Sequence, residues 1–244
     1  MGSLGKRLGA VVAVMALAGV AGCSSDGGSD AAKPTSTTRP ASTTTAPKDW
    51  PEPTFGEADC PMPLTDAVDV EVTCGYVAVP ENRLDPRSKM IKLAVARLHS
   101  RSAHPKTDPV VQLEGGPGFP SLVDVEAYAK AKLLDERDYI LWDQRGTGYS
   151  IPNLDCTETN EAVWGIFGTT SAPADEGKVI EDSLRRCRDR LRKDGVDLDG
   201  YDTTQNAADL ADIRIALGID QWNLRGVSYG SALAIEALPS YPKG

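Results

Sequence analysis

The residues best suited to chemistry are Gly226-Val227-Ser228-Tyr229-Gly230, a G-x-S-x-G run. Before it lies a strand-like stretch, Gln221 to Arg225, and after it a helix former, Ser231 to Leu238. A serine on so sharp a strand-to-helix turn has its hydroxyl pushed out above the sheet edge. The flanking glycines avoid clashes with the neighbouring strand and helix. The N–H of Tyr229 then points where an oxyanion would form. This context favours Ser228 as a nucleophile over a tight turn that happens to hold a serine.

A second loop supports the first. Pro109 to Leu113 reads as a short buried strand and runs into Glu114-Gly115-Gly116-Pro117-Gly118. A loop so rich in glycine brings backbone N–H groups close to a ligand. It is favoured as the other half of an oxyanion hole, with a plain turn as the alternative. A third apolar strand, Tyr139 to Trp142, ends in Asp143-Gln144-Arg145-Gly146-Thr147-Gly148-Tyr149-Ser150.

These three motifs, in this order and at these gaps, resemble the α/β-hydrolase peptidases of the proline iminopeptidase and tripeptidyl aminopeptidase type. The resemblance runs from about Cys60 to the end. It implies an α/β fold with Ser228 as nucleophile and the amides of Gly116 and Tyr229 as the oxyanion hole. It also implies walls built by Glu114, Gly115, Pro117, Gly118, Asp143 and Arg145. Glu114 departs from the iminopeptidase pattern, which usually carries histidine there. Arg145 reads equally as a catalytic group and as a salt-bridged strut. The implied activity is an exported serine hydrolase, foremost an aminopeptidase cleaving through an acyl-enzyme at Ser228. It needs no cofactor and acts on a peptide or ester. The alternatives are an esterase and a non-catalytic surface lipoprotein.

Other elements must position these loops. Thr73 to Val79 and Met90 to Leu98 read as an antiparallel pair, with Ile91, Leu93 and Val95 on one face and Lys92 on the other. Asp85-Pro86 marks a turn between them. Val123 to Leu134 reads as a helix. Thr157 to Val196 fits the start of a helical cap, and its charged stretch Asp182 to Lys193 reads as a solvated helix face. Thr204 to Gly218 is amphipathic, with Ala208, Leu210, Ala211, Ile213 and Leu217 inward and Gly218 as its stop. About five strands are therefore expected, ending at the serine turn.

The N-terminus carries a different message. Lys6 and Arg7 precede an apolar run from Leu8 to Ala21, too short to span a bilayer comfortably. Val20-Ala21-Gly22-Cys23 then resembles the lipobox of bacterial lipoproteins, which makes Cys23 the lipidated first mature residue. An ordinary secretory signal is the alternative. Several acyl chains on one residue would anchor the protein stably. Residues 23–49 are rich in Ser, Thr and Pro and hold no apolar side chain larger than alanine outside Cys23, so they read as a disordered tether. The expected plan is signal 1–22, tether 23–49 and folded domain 50–244, on the extracytoplasmic face of a membrane.

Charge and cysteines fit that plan. The net charge of −9 argues against nucleic acid. Apart from Cys23, four cysteines remain, which allow three pairings. The sequence-local one, Cys60–Cys74 with Cys156–Cys187, is preferred. Zinc is disfavoured because no C-x-x-C occurs and both histidines are distant.

One element of the chemistry is missing. Triads of this fold run serine, acid, histidine in chain order. The only histidines, His99 and His104, precede Ser228 and sit before the Pro109–Leu113 strand. That strand alone separates its ends by roughly 16 Å. The expectation is therefore the front half of a hydrolase, from an incomplete gene model, a truncated gene, or a product completed by a separate segment. Expressed alone it should show an open sheet edge at Gln221–Val227 and behave poorly.

Overall fold

The computed structural model describes residues 50–167 and 173–244. The expected signal, the lipidation at Cys23 and the tether lie outside the described residues. Among those described, no helix is long and apolar enough to cross a membrane.

Among the described residues six strands form one mixed sheet: β1 Phe55–Glu57, β2 Val72–Pro80, β3 Met90–Leu98, β4 Val110–Leu113, β5 Tyr139–Trp142 and β6 Asn223–Gly226. Their order is β1-β2-β3-β5-β4-β6. β1, β2, β3 and β5 pair antiparallel, whereas β4 lies parallel between β5 and β6. The expected pair forms, with Val79 opposite Ile91. The count of five strands is corrected by β1. Its three residues are too few to show a period. It is held by tertiary fit: a side chain at Gly75 would sit 2.4 Å from the Gly56 carbonyl and 2.6 Å from the Phe55 ring.

Both faces of the central sheet are covered, as a parallel sheet requires. On one face Val77, Val79, Ile91, Leu93, Val95, Val111, Leu113, Ile140 and Trp142 pack under two helices, α4 Thr203–Ala216 and α5 Tyr229–Ser240. On the other, Ala94, Ala96, Leu98, Tyr139 and Leu141 meet Leu122, Val125, Ala129 and Leu134. Lys92 is exposed as expected, but further along β3 both faces are buried. β6 is the edge strand, and its residues are half-buried or exposed.

The helix expected over Val123–Leu134 is broken into a 3-10 turn Leu122–Asp124, α1 Val125–Ala129 and a 3-10 turn Lys132–Asp135. Long-range hydrogen bonds compete with its continuation. The N–H of Arg101 and the hydroxyl of Ser100 donate to the Leu134 carbonyl at 2.7 and 2.8 Å, and the Arg101 guanidinium donates to that of Ala129. α2 Thr157–Ile166 and α3 Pro173–Lys193 fill the expected cap region. The charged face of α3 carries exposed i,i+4 pairs such as Arg185–Glu181, a solvated face as read. Disulfides join Cys60 to Cys74 and Cys156 to Cys187. α4 begins at a sound cap: the Asp202 carboxylate accepts from the Gln205 N–H at 2.7 Å. Gly218, at φ +65°, lies just past its end.

Candidate active site

Ser228 stands between β6 and α5 with φ 52° and ψ −118°. Among the described residues it is the one non-glycine at positive φ. Such backbone costs of order 1–3 kcal/mol and persists only where its surroundings dictate it. They do so here. The Val227 N–H donates to the Leu113 carbonyl at 3.0 Å, and the Gly230 N–H to the Val227 carbonyl at 2.8 Å. A Cβ at Gly226 would lie 2.7 Å from the Gly230 carbonyl oxygen. One at Gly230 would lie 2.0 Å from that of Leu113. Both glycines are therefore required by close backbone approach. Ser228 itself is exposed. Tyr229 opens α5, so its N–H has no acceptor within the helix and lies at the positive end of the helix dipole. Its hydroxyl meets Thr203 Oγ1 at 2.9 Å.

The loop after β4 reaches the same point. A Cβ at Gly115 would fall 3.0 Å from Ser228 Cβ, 3.1 Å from the Val227 carbonyl oxygen and 3.5 Å from Ser228 Oγ. The structure therefore brings the two sequence motifs together. Gly116 and Gly118 take φ of +108° and +111°, and the Phe119 N–H closes the loop on the Gly115 carbonyl at 3.2 Å. Gly116 to Phe119 are exposed, whereas Glu114 is buried and accepts from the Tyr128 hydroxyl. Burial, reinforced by this carboxylate, pushes the Tyr128 hydroxyl well above the usual tyrosine range.

The loop after β5 is built from side chains. Asp143 is fully buried and accepts from the N–H of Leu122 at 3.0 Å and of Tyr149 at 2.8 Å. Burial raises its pKa, against the pull of these backbone donors. Gly148 is needed here too, since a Cβ would sit 2.1 Å from Asp143 Oδ2. Arg145 spends all five donors. Nε and Nη2 grip Asp209 at 2.7 Å each, Nη1 reaches the carbonyls of Glu81 and Gly200, and Nη2 also reaches that of Pro80 at 3.2 Å. Asp209 shares its carboxylate with Arg83, 2.7 Å away. Of the two readings left open for Arg145, these are the contacts of a strut.

The profile of the α/β hydrolase fold family matches residues 108–244, more than half of the chain. This chain belongs to the α/β hydrolase family. It is similar to a tripeptidyl aminopeptidase of Streptomyces coelicolor, with 31% identity over 173 residues, 66% of this chain and 31% of that one. It is also similar to a putative hydrolase, YuaR, of Escherichia coli, with 25% identity over 183 residues, 70% of this chain and 34% of the other. A proline iminopeptidase structure from Mycobacterium smegmatis aligns at 21% identity and a TM-score of 0.41, over 69% of this chain and 40% of that one. The chain spans about a third of the length of the curated relatives it matches.

In this chain the histidines are remote from Ser228. His99 follows β3 where Leu98 pairs with Tyr139, the first residue of β5. Its Nε2 lies 2.8 Å from Thr73 Oγ1. His104 is exposed in the loop before β4. Ser228 follows β6, beyond the opposite, C-terminal ends of the parallel strands. A groove of about 430 Å³ opens beside the elbow, lined among others by Pro117, Gly118, Gln144, Thr147, Tyr201 and Tyr229. No cluster of three His, Cys, Asp or Glu side chains among the described residues could hold a metal ion. Arg83, Asn206 and Asp209 escaped the sequence reading. Their partners lie more than sixty residues away, and polar residues inside an amphipathic helix look like its outer face.

Proposed function

We propose that this hydrolase acts as a serine peptidase that releases short peptides or single residues from amino termini, with Ser228 as nucleophile. The observation that carries the proposal is Ser228 at positive φ with the Gly115 backbone packed against it. In this reading the Gly116 and Tyr229 amides hold the oxyanion of the tetrahedral intermediate, and the serine oxygen forms the acyl-enzyme. The name of the tripeptidyl aminopeptidase relative supports the peptidase assignment over a plain esterase. A serine hydroxyl needs a base at neutral pH. Neither histidine of these 244 residues is placed to serve Ser228 as that base. The same observation favours, as a second reading, a surface protein that keeps the elbow for binding alone.

The proposed location is the outer face of a membrane, anchored through acylated Cys23. The apolar run ending in Val20-Ala21-Gly22-Cys23 supports this, as do two disulfides, which persist in oxidising compartments.

Labelling of the full-length protein with a fluorophosphonate tests the nucleophile. Wild type should label and turn over aminoacyl substrates. Ser228→Ala should lose both, the rate falling by at least about a thousandfold without unfolding. Absence of labelling in the wild type would select the binding reading. Cys23→Ala should release the protein from salt-washed membranes, and its retention there would reject the anchor.

A further inference from the structure

One carbonyl of the loop after β4 lies against the serine elbow, and a buried amide side chain holds it. The Glu114 carbonyl oxygen sits 3.1 Å from where a Cβ of Gly230 would stand, against the elbow. It accepts a hydrogen bond from Gln144 Nε2 at 3.0 Å. Gln144 Oε1 in turn accepts from Asn206 Nδ2 on α4 at 3.2 Å. Both amides are buried. Chemistry fixes their orientation. A carbonyl only accepts, so the Gln144 nitrogen must face Glu114, its oxygen must face Asn206, and the Asn206 nitrogen must face back. The Asn206 oxygen is then left without a partner among the described residues. The loop that carries Gln144 is itself immobilised by Asp143 and Arg145.

We infer that Gln144, oriented by Asn206, is a positioning residue that sets the Glu114–Gly118 loop against Ser228. The inference rests on the hydrolase reading of the site. The side-chain hydrogen bonds of Gln144 run to Glu114 and Asn206, not to Ser228 or the proposed oxyanion donors. It acts on the carbonyl of Glu114, one residue before Gly115 and two before Gly116. An oxyanion hole works only if its amides are aimed where charge develops, so slack at Glu114 is felt in the transition state more than in ground-state binding.

The test uses the full-length protein, a p-nitrophenyl ester and two variants. Gln144→Ala should lower kcat about ten- to a hundredfold at unchanged KM, less than the loss of an oxyanion donor itself. It should also speed hydrogen exchange of the Phe119 amide about tenfold, the scale of one neutral hydrogen bond. Asn206→Ala should do the same to a smaller degree. A folded Gln144→Ala protein with wild-type kcat and wild-type Phe119 exchange overturns the inference, as does a loss confined to KM. Should Gln144→Ala fail to fold, Asn206→Ala decides by the same two readouts. A wild type without Ser228-dependent turnover removes the hydrolase reading instead, and Phe119 exchange then decides the positioning role alone.

Discussion

The loops after β4 and β5 leave neighbouring parallel strands at the same end of the sheet, yet they are built in opposite ways. After β5, side chains carry the structure: Asp143, Gln144, Arg145 and Ser150 are buried and bonded to backbone or to one another. After β4, backbone carries it: Gly116 to Phe119 are exposed, and two of these residues are glycines at positive φ. The first loop holds and the second presents. Hydrogen bonds among buried groups stiffen a loop, because breaking one leaves polar atoms stranded away from water. An exposed glycine loop keeps N–H groups free to meet a ligand.

Three substitutions test that division of labour. The largest effect should come from Asp209→Ala, which leaves the Arg145 and Arg83 guanidinium groups buried without their shared carboxylate. Removing one partner of a buried ion pair costs about 3–5 kcal/mol. Calorimetry of the full-length protein should show Tm lowered by roughly 6–20 °C. An unchanged Tm would mean that the loop after β5 does not need its strut. Gly115→Ala should act on the presenting side. Its Cβ would meet Ser228 and Val227 at 3.0–3.1 Å. We expect stability within about 1 kcal/mol of wild type, with labelling of Ser228 slowed about tenfold or more. A large fall in Tm without a change in labelling would reverse the comparison.

The smallest effect, a control on an ion pair outside both loops, is Glu158→Gln. The Arg190 guanidinium hydrogen-bonds Glu158 at 2.7 Å and holds its carboxyl down to about 2, below the usual 4.5. A depressed carboxyl contributes stability that is present above pH 4.5 and lost as pH falls from there toward 2. Glu158→Gln should flatten the fall of Tm in that window and leave Ser228 labelling at neutral pH untouched. Altered labelling would show that α2 and α3 bear on the elbow.

Much of the fold was legible in the sequence. Met90–Leu98 and Tyr139–Trp142 occur as read, because strand periodicity and apolar runs are local signals. β1 was not legible, since its pairing with β2 depends on Gly75 making room for Phe55. The break in the Val123–Leu134 helix was also hidden, because the groups that capture its carbonyls lie on the Ser100–Arg101 turn.

The site divides along the same line. The sequence by itself determined the serine turn and the glycine loop, because each is a short run whose residue types answer to backbone geometry within a few positions. It also showed both histidines standing before the serine. Only the tertiary structure decided that Gly115 lies against Ser228, that Arg145 is held by Asp209, and that Gln144 reaches the Glu114 carbonyl. Those contacts join residues 30 to more than 110 positions apart. A buried polar side chain has meaning only through the partner that satisfies it, and chain folding alone brings that partner within reach.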